Sequence, residues 1–538
     1  KRRIRSGLIS PIKRWTMEKR LIIAVALSIF IIVSFQFFNK PSKPLDLATP
    51  TPITAPISKS EDLQTIDSPK ELNKQIKEDL DVLENDKFIL EFSNINAGLK
   101  KICLKGYSGT KTSAPLCLVD VLDQNAYIGS LSSHDRDLLL SGVGYMPDRS
   151  NSTITYNLNS KNLKIAKRFT LIPGKFAIGL NISATNVSQS PQIFGYRIIA
   201  GAGVNEDSAQ NKQFVEISSK IDEKAIGFKH PKDSKITNPG KVSWTALKNK
   251  YFSVVFKPFV NTLSQFYSSS GNGYLVNGVD VEPVTIQPGE TSEQKYIIYA
   301  GPSDIASLRQ VGYGLDESIS YGFFGGISKF ILAVMKFFYN IVHSWGLAII
   351  LLSVFLNVIL FPLTMKSFKS MQKMQELHPQ MEKLKVQYKG NPQKLNQEIM
   401  ELYKTYKINP FSGCLPMLLQ MPIFFALYQA LMKSIELRGT KFLWIKDLSM
   451  PDAVPIPFTL PLIGNSINIL PLVMVVAMVL QQKISTKTMG SAITVEQREQ
   501  QKIMLIVMPI MFGFIFYNMP SGLVLYWVVN TVLTVVEQ

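Results

Sequence analysis

The sequence predicts a polytopic α-helical membrane protein that carries a large inserted all-β domain. Three observations carry that prediction. Apolar residues make up 46% of the 538-residue chain and cluster near residue 30 and again from Ile331 onward. The run Trp345 to Leu363 alone is long enough for a membrane-spanning helix, which needs roughly 20 apolar residues. Between the two clusters, residues 86–302 break into short alternating or β-branched segments separated by Gly, Asn and Pro. The formal charge of +18 fits the same picture. Lys and Arg flank the apolar runs, which makes them topology determinants rather than a nucleic-acid patch.

Residues 1–16 are basic and precede Met17. Their origin stays open between an extension ahead of a natural start and an authentic cytoplasmic tail. Residues 17–38 read as an uncleaved signal-anchor span with a cytoplasmic N-terminus: Lys19 and Arg20 precede the apolar run, and Phe35 to Asn39 offers no small-residue cleavage site. Residues 39–85 form a linker rich in Pro, Thr and Ser, with Pro41, Pro44, Pro50, Pro52 and Pro56, closed by a short polar helix over 69–83.

Within 86–302, strands are expected at Phe88–Ser93, Thr153–Leu158, Leu163–Leu171, Phe176–Ser183, Tyr251–Phe256 and Glu293–Tyr299, which together suggest a large antiparallel sandwich. This domain follows a span that starts in the cytoplasm, so it is expected outside. Cys103 and Cys117 fall in it, either as a disulfide or as two buried thiols. Residues 303–344 comprise a linker and a helix over 323–343. Ile327, Phe330, Ile331, Met335 and Phe338 recur there at helical spacing, which predicts an amphipathic helix at the outer membrane surface. A core helix of the sandwich is the alternative.

The helical core is expected over 345–538. Spans run at 345–363, Leu415–Met432, Leu460–Leu480, Ile503–Tyr517 and Leu523–Val536, with an outer loop over 435–457 and a polar inner loop over 481–502. The absence of a basic segment between Val536 and Gln538 predicts that further residues follow. A basic hairpin of two helices, 366–407, joins the first two spans. Met374, Leu377, Met381, Leu384 and Tyr388 form one stripe, and Leu395, Ile399, Leu402 and Tyr406 the other, with Leu384 and Leu402 expected inside. Asn391 and Pro392 suit the start of the second helix, and Pro379 the start or a kink of the first. Asn357 is a polar residue inside the first core span. An amide in lipid is costly without a partner, so it should face other helices or a wet cavity.

The chain encodes no nucleotide or metal engine. It has no GxxxxGK[ST], no HExxH and no GxSxG, and its four histidines lie at no metal-ligand spacing. No charge sits deep in the spans of 345–536, which argues against an ion-coupled relay.

The stretch Asn409-Pro-Phe-Ser-Gly-Cys-Leu-Pro-Met-Leu-Leu-Gln-Met-Pro-Ile-Phe-Phe-Ala-Leu-Tyr428 resembles the signature of the YidC/Oxa/Alb membrane protein insertases. Phe361–Thr364, Ser370–Met374, Ile435–Arg438, Trp444–Ser449 and Pro520–Tyr526 extend the likeness over about 345–536. Lys167–Leu171, Trp244–Phe252 and Tyr299–Pro302 make the upstream region similar to the periplasmic domain of the Gram-negative YidC type.

The resemblance implies a signal-anchor helix, a five-helix insertase core and a periplasmic β-supersandwich akin to sugar mutarotases, in the bacterial inner membrane. It implies a non-enzymatic insertase and chaperone, without cofactor or metal. Its hydrophilic groove would open to cytoplasm and lipid. The family's groove arginine falls on Asn357, which is a departure, and further groove positions fall on Ser353, Gln420 and Trp527. Met371, Met374, Met381, Leu384 and Leu402 would contact substrate or partners from the hairpin. Implied partners are nascent membrane proteins, the ribosome, the Sec translocon (SecYEG and SecDF), the signal recognition particle or its receptor, and membrane lipids, with no DNA.

A polytopic transporter or channel is the alternative, and it calls for inverted repeats or several buried charges. A sugar-binding module on a membrane anchor is the third reading. It requires convergent His and Glu side chains, for which His134 and His230 offer little.

Overall fold

The computed structural model describes residues 77–537 except 109–113, 136–137, 205–213, 230–235, 270–274, 407–408, 410–414, 461–463 and 489–494. The basic extension 1–16, the anchor 17–38 and the linker up to residue 76 lie outside the described residues.

The first half is built from antiparallel sheets. Nine strands are ordered Lys224–Lys229, Glu216–Ile221, Val242–Lys248, Phe252–Pro258, Thr291–Pro302, Ala177–Asn186, Leu163–Leu171, Thr153–Asn159 and Met146–Arg149. A five-stranded sheet, a four-stranded sheet and a two-stranded one (Gln192–Phe194 with Val284–Ile286) complete the domain. Alternation explains the layering. Along Leu163–Leu171 the odd-numbered residues are buried and the even-numbered ones are exposed or half-buried, so one face meets the core. A single apolar cluster including Phe88, Tyr127, Phe169, Tyr196, Val254 and Ile298 joins the sheets.

One sequence expectation changes here, and one open alternative resolves. Residues 80–83 were expected in a polar helix, but Leu80–Glu84 is a strand paired with Phe88–Ser93. Asn85 closes that hairpin by accepting from the Lys87 and Phe88 amides, and Asp81 and Leu83 alternate inward, a period-2 pattern that a helix would not satisfy. Cys103 and Cys117 face each other on adjacent strands and form a disulfide.

A short helix α1 (Ile305–Val311) leads to α2 (Gly325–Val342). Ser328, Ile331 and Met335 form the buried face of α2, which packs on helices of the second half rather than inside the sandwich. Its other side exposes Phe330, Phe337 and Ile341.

The second half comprises α3 (Trp345–Glu376), α4 (His378–Gln387), α5 (Pro392–Thr405), α6 (Leu415–Lys433), α7 (Ile469–Thr488), α8 (Val495–Phe516) and α9 (Ser521–Glu537). α3 runs unbroken from the expected first span into the hairpin, with Pro362 inside it. α9 packs on both α3 and α7, and α8 packs on α7. Gly513 permits the last contact, since a Cβ there would stand 2.5 Å from Val475 Cγ2. Among the described residues, 325–342 and 345–374 are helices long and apolar enough to cross a bilayer.

The span expected at 460–480 is displaced. Val454–Leu460 and Gly464–Ile467 form a β-hairpin, and α7 starts only at Ile469. Pro455 and Pro457 keep the preceding segment extended. The Asp452 carboxylate then accepts from the Ile469 and Leu470 amides at 2.8 and 2.9 Å, which fixes the helix start. The polar loop expected over 481–502 is largely helix as well. α7 runs to Thr488 and α8 begins at Val495, because Gln, Lys and Glu prolong helices readily.

The segment between α6 and α7 joins the halves. Glu436 pairs with Lys336 of α2 at 2.6 Å. Arg438 donates to Ser108 O at 3.0 Å, and Lys250 of the β domain lies 3.4 Å from Ser449 O.

Candidate groove and cytoplasmic hairpin

α3 and α9 are apolar over most of their length, so each polar side chain in them must find a partner. Asn357 lies about three turns from the start of α3, and Asn530 about two and a half turns from the start of α9. They meet. Asn357 Nδ2 donates to Asn530 Oδ1 at 2.9 Å and to Ser353 O at 2.9 Å. Both asparagines are half-buried.

Ser353 is fully buried, and its hydroxyl donates to Ile349 O in its own helix at 2.8 Å. It therefore offers its neighbours a carbonyl rather than a hydroxyl. Gln420 of α6 donates to the Tyr526 hydroxyl of α9 at 3.0 Å. Trp527 is half-buried among Phe424, Phe512 and Phe516, with ring centroids 5.6 to 6.0 Å away. Its indole N–H is buried without a hydrogen-bond partner.

The structure thus gathers Asn357, Gln420 and Trp527 onto α9 and the helices around it. Sequence reasoning missed Asn530, although a lone amide in an apolar run is the signal that singled out Asn357. It also missed Asp452, while Asn468 stood at the outer end of an expected span. Asn468 ties α7 to the end of α8 by donating to Tyr517 O at 2.6 Å.

No charged residue occurs in 345–365, 415–432, 469–482 or 521–536. Lys366, Lys369 and Lys373 begin a basic zone on the hairpin side. On the opposite side, burial alone would raise the Glu436 carboxyl, but the Lys336 ammonium and the Ser434 hydroxyl outweigh it and hold the group below its usual range.

The hairpin closes on a small apolar centre. Leu377 and Tyr403 are buried, with Met374, Met381, Ile399 and Leu402 packed around them. Tyr403 donates to Met381 Sδ at 3.4 Å. Leu402 and Met381 therefore sit as expected. Leu384 is only half-buried and lies outside this centre. Tyr403, on α5, is buried in the centre in its place. The side chain of Met371 lies outside the described residues. Asn391 caps α5 by accepting from the Lys394 amide at 3.1 Å, with Pro392 at the first helical position.

Residues 82–334 match the model of the YidC periplasmic domain, and residues 337–538 match that of the 60Kd inner membrane protein. The membrane protein insertase YidC of Geotalea uraniireducens (strain Rf4) is 34% identical over 555 residues, spanning 97% of this chain and 98% of that protein. The chain belongs to the YidC membrane protein insertase family. The YidC insertase of Citrifermentans bemidjiense is 33% identical, again over 97% of this chain and 98% of the relative. A crystal structure of an active YidC insertase with its first transmembrane domain resolved covers 97% of this chain and 99% of its own, at 17% identity and a TM-score of 0.34.

YidC insertases are non-enzymatic inner-membrane proteins with a β-rich periplasmic domain and a helical core, and they act on nascent membrane proteins. In YidC terms, the sheets described above are the periplasmic domain and α3 to α9 form the core region.

Proposed function

We propose that this protein inserts and helps fold nascent inner-membrane proteins through a hydrophilic groove beside α3, α6 and α9, open to the cytoplasm and to lipid. The observation that carries this reading is the Asn357–Asn530 hydrogen bond of 2.9 Å, which places paired, half-buried amides within otherwise apolar helices. Carrying a polar flank across lipid is expensive for backbone and charge. A wet cavity partway through shortens the crossing. The apolar segment then leaves sideways, driven by its own transfer at roughly 25 cal/mol per Å².

Gln420 and Trp527 line the groove with the amides, and Ser353 supports Asn357 from behind. α6 and α8 offer apolar, Met-containing surface to the departing segment. Met371, Met374, Met381, Leu384 and Leu402 belong to the hairpin that receives substrate. Its lysines meet the ribosome, the signal recognition particle or its receptor by charge. The protein works alone or beside the Sec translocon.

We place the N-terminus and the hairpin in the cytoplasm, with five core spans and one anchor span. The Cys103–Cys117 disulfide supports an oxidising compartment for the β domain. Reconstitution with a ribosome-synthesised single-span protein tests the reading. Vesicles holding the full chain should protect the translocated tail from added protease, and protection no better than in protein-free vesicles refutes it.

A further inference from the structure

The bond between Asn357 and Asn530 leaves two polar atoms over. Asn357 uses its amide nitrogen for Ser353 O and Asn530 Oδ1. Asn357 Oδ1 and Asn530 Nδ2 have no protein partner among the described residues, and neither is a fully buried orphan atom. An unused acceptor and an unused donor therefore remain on the two hydrogen-bonded amides. Neighbouring hydroxyls do not compete for them. Thr531 donates to Trp527 O at 2.8 Å, and Thr534 donates to Asn530 O at 2.8 Å. No Asp, Glu, Lys, Arg or His lies on either helix within 345–365 or 521–536, so no formal charge on these segments would favour a charged ligand over a neutral one.

We propose that the Asn357–Asn530 pair is a binding site for one uncharged peptide unit of the chain being inserted. This rests on the insertase reading and names what the groove recognises. A peptide unit carries one N–H donor and one C=O acceptor. Asn357 Oδ1 accepts the first and Asn530 Nδ2 donates to the second, as the edge of a sheet would. Each unpaired backbone group in a membrane costs several kcal/mol, so the pair lowers the barrier for any tail whose backbone can reach it. Recognition through the main chain ignores side-chain charge. It does not ignore proline, which has no N–H.

The test uses the full chain in phosphatidylethanolamine–phosphatidylglycerol vesicles and a ribosome-synthesised single-span substrate. Its short translocated tail is made in three forms: Gly/Ser, Gly/Ser with two Asp, and Pro-rich. The wild type should translocate the first two at rates within about twofold and the Pro-rich tail roughly fivefold more slowly, the effect of about one hydrogen bond. Asn530→Leu should slow the Gly/Ser tail by about fivefold and leave the Pro-rich tail unchanged, so that the discrimination vanishes. Adding Asn357→Leu should slow it no further, because the two amides act as one site.

A variant that slows all tails equally, or keeps the Gly/Ser preference, shows only a clasp between helices and overturns the site. If Asn530→Leu does not fold, Asn530→Ser, too short to reach the substrate carbonyl, is read by the same ratio. Wild-type vesicles that insert no tail above the protein-free level would instead defeat the insertase reading, and this inference with it.

Discussion

The periplasmic domain and the helical core both bury polar groups, but they solve the problem in opposite ways. The β domain buries charge. Lys167 is fully buried, and its amine donates to Asn96 O at 2.8 Å and Ala97 O at 2.5 Å, while burial pulls its pKa well below the usual lysine range. Asp81, 1% exposed, receives the Tyr156 hydroxyl at 2.6 Å and pairs with Arg149. Asp280 takes Arg197 at 2.7 Å and the Ser264 hydroxyl at 2.5 Å. The apolar stretches of the core bury only neutral groups: Ser328, Ser353, Thr531 and the half-buried Asn357, Gln420 and Asn530. Water around the sheets can hydrate a charge until the last moment of folding, and dense sheets can then surround it with donors and acceptors. Helices in lipid have no such reservoir, so an uncharged amide is the strongest polar group they carry cheaply.

The largest test of that contrast is Lys167→Ala. It strips two buried carbonyls of their donor and leaves a cavity, which should cost about 3–5 kcal/mol. Thermal unfolding of the detergent-solubilised chain should show the periplasmic domain melting early while the helical core melts where it did. A core that melts equally early would mean the two regions do not differ as described.

Next is the disulfide. Its sequence separation is 14 residues. A closed loop of about that length stabilises by about 3 kcal/mol on chain-entropy grounds. Cys103→Ser with Cys117→Ser should lower the periplasmic transition by that amount, and non-reducing electrophoresis should show the bond in protein drawn from cells. Reduced thiols in freshly isolated membranes would contradict both the bond and the outward placement of the domain.

Lys250 tests the seam between the regions. Burial pushes its ammonium down to about 8, and Asp447 opposes the shift only in part. The unfolded lysine titrates near 10.5. Between these values the unfolded state binds more protons than the folded one, so stability rises as pH climbs from about 8 to about 10.5. The slope should approach about 1 kcal/mol per pH unit, after allowance for residual solvent around the group. Lys250→Met should flatten it. An unchanged slope would mean that Lys250 is hydrated at the seam.

The same physics decides which features were legible in the sequence. Leu163–Leu171 was readable to the residue because a half-buried strand alternates strictly and turn residues bracket it. The start of α7 was not, because residues 460–468 hold enough Leu and Ile to pass for the head of a span. Only the reach of Asp452 to Ile469 N shows where the helix begins. Asn357 stood out by chemistry, but its partner lies 173 residues away and no local pattern links them. Leu384 falls short of the hairpin centre while Tyr403 of α5 enters it, because a 3,4 stripe names a face and not which of its residues meets the partner helix. Local patterns report which face is apolar. Pairings across the chain need the fold.

The smallest expected effect is the most discriminating. Asn357→Arg places in an apolar stretch of the helical core a charge of the kind the β domain pairs at Asp81 and Asp280. In a dry helix interface a guanidinium would be ruinous, with a cost of at least about 2.5–3.5 kcal/mol at mid-span. Asn357, however, is half-buried and keeps an unused oxygen beside Asn530, and a wet cavity there would solvate the cation. The longer side chain can still donate to Asn530 Oδ1, since a guanidinium has five N–H groups and needs only one for that bond. The substitution should therefore change thermal stability by about 1 kcal/mol or less. It should also alter selectivity, because a fixed charge attracts acidic tails as an amide does not. Insertion of matched substrates should shift from near parity between neutral and acidic tails to a preference of several-fold for the acidic one. If Asn357→Arg unfolds the core instead, the amides sit in a dry interface. The contrast between the two regions would then be one of lipid against water alone, with no aqueous groove between them.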